Sequence, residues 1–286
     1  MDFRNRNTKS YRRMKKYKNQ AETKAKSGLK PKGNKYDVQD YPIETLVPQK
    51  LNSSSTDIPQ TTLMKENVIP AHPFSMLLVG ESGSGKTNSL LWTLNHLYKK
   101  YFERLILIGQ TVRSDGMYKN LDEKVDDEDI HTEDLAEKCT MVLKERLDEV
   151  QEAGGPEKAS RMLIILEDAS SESKLMSSKA FTKLFVQLRH LGCSVVTMCH
   201  KLRIIPRLCR LNAVALCVFN CSRSDEKILI DEYCPRKCSK KGFADLLKTV
   251  WTSDDEMQRP FLYFNRTLPE EIAYRRGWSQ IMRLKT

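Results

Sequence analysis

From Phe74 onward the chain alternates short, almost wholly apolar runs with amphipathic stretches. The runs are FSMLLVG (74–80), RLILIGQ (104–110), MLIILED (162–168), CSVVTMC (193–199), AVALCVFN (213–220) and PFLYF (260–264). Strands covered on both faces read this way, as in a parallel sheet, whereas a half-exposed strand would alternate. Between them, 87–100 places Leu90, Leu94, Leu97 and Tyr98 on one helical face. The stretch 177–190 does the same with Phe181, Leu184, Phe185 and Leu188, and Gly192 follows as a stop signal. A third helix is expected over about 132–152. The pattern predicts a three-layer α/β domain over 74–286 with a mostly parallel central sheet.

The first 73 residues have a different character. Residues 1–36 hold 13 Lys and Arg against Asp2 and Glu22, with little apolar content, and are expected to form a disordered basic tail. Residues 37–73 carry five prolines and the run Ser53-Ser54-Ser55-Thr56, a linker composition, with Tyr41, Ile43, Leu46 and Val47 able to tack it onto the body. The formal net charge of +11 therefore lies entirely in the tail, and the body is neutral. Such a tail suits a polyanionic partner or nuclear import. Its Tyr11-Arg12-Arg13-Met14-Lys15-Lys16-Tyr17-Lys18 interleaves aromatics with bases, a pattern able to contact phosphates and stack on bases or to serve as a nuclear localisation signal, with a merely solubilising tail as the alternative.

Membrane insertion and secretion are not expected. The longest run without a charged residue is 14 residues (67–80) and contains two prolines, short of the roughly 20 apolar residues a spanning helix needs. The N-terminus has no apolar core of a signal peptide. Eight cysteines without an export signal suit free thiols in a reducing, intracellular setting.

The chemistry concentrates in Gly80-Glu81-Ser82-Gly83-Ser84-Gly85-Lys86-Thr87, which fits G-x-x-x-x-G-K-[ST]. Glycines let the backbone close around phosphates, Lys86 neutralises the β/γ-phosphates, and the Thr87 hydroxyl ligates Mg²⁺. The loop follows an apolar strand and opens a helix whose N-terminal end favours an anion. A second strand supplies the carboxylates such a loop needs: MLIIL ends in Glu167-Asp168. Glu167 is assigned to Mg²⁺ and Asp168 to the attacking water, with the order Glu-Asp reversed from the commoner Asp-Glu. ATP and Mg²⁺ are the expected ligands.

The stretches HPFSMLLVGESGSGKT (72–87), LIILEDAS (163–170), RHLGCSVVTMCH (189–200) and IIPRLCRLNAVALCVF (204–219) resemble the FtsK/HerA-type DNA-translocating ATPases, and within them the poxvirus-type genome-packaging ATPases. The resemblance covers roughly 70–220. It implies a RecA-like P-loop fold and a homo-oligomeric ring that drives double-stranded DNA into a capsid. Capsid or portal-vertex proteins are the further partners it suggests, while the basic tail points to the host nucleus as the setting. Arg189, three residues before Gly192, matches the family's arginine finger towards a neighbouring subunit. His200 stands where a glutamine usually senses the γ-phosphate, and Arg210 and Asn212 match a further Arg and Asn of the pattern. A DNA channel needs a positive lining, so in a neutral body acids elsewhere, such as 122–137, must offset it.

Other features have plainer readings. The segment LDEKVDDEDIHTEDLAEK (121–138) holds nine carboxylates, expected as a solvated loop rather than a cation site. Cys217, Cys221, Cys234 and Cys238 form two C-x3-C pairs with the spacing of a zinc site, but the first pair falls in an apolar strand where Cys acts as a small hydrophobe. Two rival functions remain open: a nucleotide-gated DNA-binding protein with little hydrolysis, and a small-molecule kinase. The RHLG…H spacing, and no obvious arginine-rich lid, argue against the kinase.

Overall fold

The computed structural model describes residues 36–40, 68–114, 116–122, 125–236, 238–252, 259–278 and 280–284. Residues 1–35 of the basic tail and the tacking residues Tyr41, Ile43, Leu46 and Val47 lie outside them.

Every predicted apolar run forms a strand. They are β2 (Ser75–Val79), β3 (Arg104–Ile108), β5 (Met162–Leu166), β6 (Cys193–Cys199), β7 (Ala215–Val218) and β8 (Leu262–Asn265), with β1 (Tyr36–Asp40) and β4 (Ile130–His131) as short edge pieces. Two strands that the apolar pattern does not announce, β9 (Tyr274–Arg276) and β10 (Gln280–Leu284), close the chain. The order is β1-β10-β9-β8-β7-β2-β6-β5-β3-β4. From β7 to β4 neighbouring strands run parallel, with Leu77 opposite Thr197 and Ile164 opposite Val195. β8, β9 and β10 extend the sheet antiparallel, so the expected final run PFLYF joins with reversed direction.

Alternate residues of the central strands supply two cores. Met76, Leu78, Leu105, Leu107, Leu163 and Ile165 pack with Leu90, Leu91 and Leu94 of helix α1 (Lys86–His96). The intervening Leu77, Val79, Ile106 and Ile164 are equally buried and face the opposite side, where α2 (Leu135–Glu152) packs on β3. Burial on both sides is why these strands read as unbroken apolar runs. Val68 and Ile69 are also buried in the first core, so the end of the expected 37–73 linker is part of the body rather than a tether.

The helix expected over 177–190 is two pieces, α4 (Lys179–Val186) and α5 (Leu188–Leu191), preceded by the short α3 (Ser173–Ser177). Ser178 accepts the Phe181 N–H and caps α4, and Gln187 leaves helical geometry before α5. Three helices complete that layer: α6 (Arg207–Asn212), α7 (Arg223–Tyr233) and α8 (Lys240–Trp251). Because β2, β6 and β5 are adjacent and parallel, the segments after Val79, Cys199 and Leu166 emerge side by side at one edge. That edge is where open α/β sheets present ligands.

Candidate active site

The phosphate loop leaves β2 at Gly80, whose N–H bonds to the Cys199 carbonyl at 3.2 Å and ties the loop to the end of β6. A Cβ on Gly80 would lie 2.7 Å from Phe219 Cβ and from Ser84 Oγ, so the cradle has no room for another residue. Gly85 holds φ +99°, a left-handed conformation that aims the first amides of α1 into the cleft. Lys86 is buried and its Nζ donates to the carbonyls of Gly80 (2.8 Å) and Glu81 (3.0 Å). Burial pushes this ammonium below its ordinary value, and the negative charge of Asp168 and Glu167 opposes the shift.

Glu167 and Asp168 stand where β5 ends. Glu167 is 5% exposed and its N–H extends the ladder to Ile108 O. Asp168 adopts φ +41°, left-handed for a residue with a Cβ, which turns its carboxylate back over the cleft. There Asp168 Oδ1 accepts from Ser170 Oγ at 2.8 Å and lies 3.2 Å from His200 Nε2. His200 Nδ1 lies 3.5 Å from Lys86 Nζ. An ammonium only donates, so Nδ1 is the acceptor and Nε2–H donates to Asp168. His200 thus bridges the lysine of the loop to the carboxylate of the second strand.

These groups line one cleft of about 500 Å³. Its donor set suits a triphosphate with Mg²⁺: inward amides, one buried ammonium, and the Thr87 hydroxyl beside Glu167 and Asp168. Glu81, Ser82 and Gly83 form the exposed side of the loop, and the Ser84 hydroxyl turns inward towards Gly80. Two lining residues carried no signal in the sequence. Arg259 reaches the Gly83 carbonyl from the approach to β8, and Thr111 comes from the turn after β3. Ser170 falls within the LEDAS stretch, yet only the fold shows its hydroxyl between Asp168 and the His200 backbone N–H.

Arg189 is not in this cleft. It is exposed on α5, before β6 begins, and the length of β6 separates it from His200, about 23 Å at roughly 3.3 Å per residue. Arg210 is committed elsewhere: its guanidinium forms a bidentate pair with Glu232 of α7 at 2.8 and 2.7 Å and bonds to Ile205 O. Asn212 bonds to Leu208 O within its own helix. Within its own chain the family-matched Arg210 thus ties α6 to α7. Among the described residues no group of three or more His, Cys, Asp or Glu converges on a metal position. In the acidic segment, Asp129 pairs with Arg104, Asp127 with Arg113 and Asp122 with Lys99. No helix among the described residues is long and apolar enough to cross a membrane.

Fold and cleft together define a P-loop nucleotide-binding α/β protein with a mostly parallel central sheet. The chain belongs to the poxvirus A32 protein family, whose sequence model matches residues 62–264. It is 28% identical over 198 residues to the DNA packaging protein OPG160 of variola virus, covering 66% of this chain and 68% of that protein. The same identity and coverage hold for the DNA packaging protein of vaccinia virus strain Copenhagen. Among solved structures, the genome packaging NTPase B204 of Sulfolobus turreted icosahedral virus 2 is similar at 11% identity and TM-score 0.48, over 68% of this chain and 92% of that one.

Proposed function

We propose that the chain is an ATPase that drives double-stranded DNA into a viral capsid as a homo-oligomeric ring. The observation that carries this is the convergence of 80–87, Glu167, Asp168 and His200 on three adjacent strand ends, with Arg189 exposed at the far end of the same sheet. Membership of the poxvirus family, with relatives that bear the name DNA packaging protein, supplies the substrate.

In this reading the amides of 80–87 and the N-terminal end of α1 hold the phosphates, and Lys86 leaves its resting carbonyls for the β/γ-phosphate oxygens. Thr87 and Glu167 would hold Mg²⁺, which would supply neutralising charge to the phosphates. Asp168 orients the attacking water and accepts its proton, and Ser170 and His200 fix the direction of that carboxylate. His200 touches both Lys86 and Asp168, so it registers departure of Lys86 towards phosphate. Arg189 cannot reach its own cleft and completes that of a neighbour, where it stabilises transition-state charge. Capsid or portal-vertex proteins are the further partners. The name DNA packaging protein borne by the relatives supports work at a site of virion assembly, and gives no support to the nuclear destination expected from the tail.

The test is steady-state ATP hydrolysis with and without long duplex DNA, beside Lys86→Ala. Stimulation by DNA that Lys86→Ala abolishes is the expected result. Tight DNA binding with hydrolysis at the Lys86→Ala level would replace the motor with a nucleotide-gated binder.

A further inference from the structure

The body is neutral by count but not by place. Between 122 and 157 stand fourteen Asp and Glu against four Lys and Arg, whereas between 173 and 224 stand nine Lys and Arg and no acid. Soluble surfaces normally intersperse the two signs, and a single-sign field marks a site for a polyanion.

Part of that positive charge is already used. Glu232 neutralises Arg210 and lies 3.4 Å from Arg207, and Arg189 stands at the opposite end of β6. Lys174, Lys179, Lys183, Lys201, Arg203 and, at the start of α7, Arg223 are left; all six are exposed, and none has an ion pair among the described residues. Their elements are contiguous. α3 carries Lys174 and packs on α4, and α4 packs on α6, which follows the turn holding Arg203. Lys179 and Lys183 are one helical turn apart on α4, opposite its buried Phe181, Leu184 and Phe185. Flexible ammonium groups without aromatic or amide partners suit contact with phosphates rather than with base edges.

The position of this face matters as much as its sign. α3 starts five residues after Asp168, and Lys201 directly follows His200. The Ser170 hydroxyl lies between them, donating to Asp168 and accepting the His200 N–H. A displacement of either residue at the phosphate site is therefore passed to Lys174 or to Arg203 through turns of a few residues.

We propose that α3, α4 and the 201–203 turn form the face that grips the phosphate backbone of duplex DNA, without reading its sequence, and that the 169–171 turn couples it to the nucleotide. This rests on the motor reading above and adds where the duplex is held.

The test is the full chain carrying Lys174→Glu, Lys179→Glu and Lys183→Glu, with the triple Lys→Gln variant as a milder companion. Fluorescence anisotropy would follow binding to two duplexes of unrelated sequence between about 50 and 200 mM salt. Affinity is expected to fall tenfold or more for both duplexes. The slope of log affinity against log salt should become shallower by about two to three, at roughly 0.9 per lost phosphate contact. Affinity for MgATP should stay unchanged. Wild-type affinity and slope in both variants would overturn the proposal and leave the motor standing. Loss of self-association at unchanged DNA affinity would also overturn it, reassigning the face to a contact with the acidic segment of a second copy. If the wild-type chain neither binds duplex nor shows DNA-stimulated hydrolysis, the functional reading falls first and takes this proposal with it.

Discussion

The two ends of β6 are built on opposite principles. At its C-terminal end the functional groups hold one another by a few exchangeable bonds around an open cleft: Lys86 on two loop carbonyls, Asp168 between Ser170 and His200. At its N-terminal end, below Arg189, nothing is exchangeable. Arg146 of α2 is fully buried, and its guanidinium bonds to Leu191 O, Gly192 O, Ser160 O and Ser160 Oγ and pairs with Glu149. Gly192 takes φ +53°, and a Cβ there would lie 2.6 Å from Pro156 O. One end has groups that must change partners when phosphate arrives. The other fixes the turn behind a residue that, in the proposed mechanism, must project beyond its own subunit. Rigidity is placed where reach is needed, and looseness where chemistry happens.

The sharpest way to break that contrast is Arg189→Ala. If Arg189 serves a neighbour's nucleotide, hydrolysis should fall by about 10³- to 10⁵-fold, the range for arginine fingers. Nucleotide affinity of the isolated subunit should be unaffected, since Arg189 is a strand length from its own cleft. Mixing Arg189→Ala with Lys86→Ala subunits should restore part of the activity, read as steady-state turnover. Mixtures no more active than either parent would sink the division between the two ends.

Next comes the clamp itself. Arg146→Met keeps much of the side-chain bulk but leaves the Leu191, Gly192 and Ser160 carbonyls without their donor, at a cost of about 3–5 kcal/mol. Denaturant unfolding would show it as a lower midpoint. A loss below about 1 kcal/mol would mean that water replaces the guanidinium and that the turn is not rigid.

The same end also titrates. His72 Nδ1 lies 2.8 Å from Ser194 Oγ, and the ring sits edge-on against Phe102. Burial, then the nearby Arg146 charge, lowers it to about 4. The unfolded chain takes this proton first, near pH 6.5, so the stability that neutral His72 supports is whole above that pH. It drains as the pH falls from about 6.5 to about 4, by about 2 kcal/mol once partial exposure is allowed for. His72→Asn should flatten the pH dependence of the unfolding midpoint over that window. An unchanged slope would remove His72 from the clamp.

How much of this was legible depended on whether the interacting groups are neighbours in sequence. The phosphate loop announces itself because its function is a backbone shape made by eight consecutive residues, and Glu167-Asp168 because a strand end fixes their place. The parallel strands were legible for a related reason: burial on both faces leaves no polar position. Arg146 was not. It sits in a helix of mixed charge and reads as solvated, and its partners are carbonyls of 160, 191 and 192 that only the fold brings to it. The break at Gln187 and the short antiparallel strands β9 and β10 escaped for want of an apolar run or a proline to mark them. Arg210 is the converse case, a residue conspicuous in pattern whose bidentate pair with Glu232 is structural.

The smallest effect is expected where the looser end departs from its family pattern. His200 accepts from Lys86 at Nδ1 and donates to Asp168 at Nε2. A glutamine offers the same two functions on one amide, its oxygen to the ammonium and its NH₂ to the carboxylate. His200→Gln should therefore keep turnover within about threefold of wild type, under 1 kcal/mol in the barrier. His200→Ala removes both bonds, each to a charged group, and leaves Lys86 and Asp168 to water. At about 1.5–3 kcal/mol for a charged hydrogen bond, its turnover should drop ten- to a hundredfold or more. Comparing kcat for the two variants separates bridging from bulk: if Gln is as damaged as Ala, the imidazole does something an amide cannot. If Ala is as active as Gln, the bridge between the two strands carries no catalytic weight, and the resting contacts at this end are only a way of parking Lys86 until nucleotide binds.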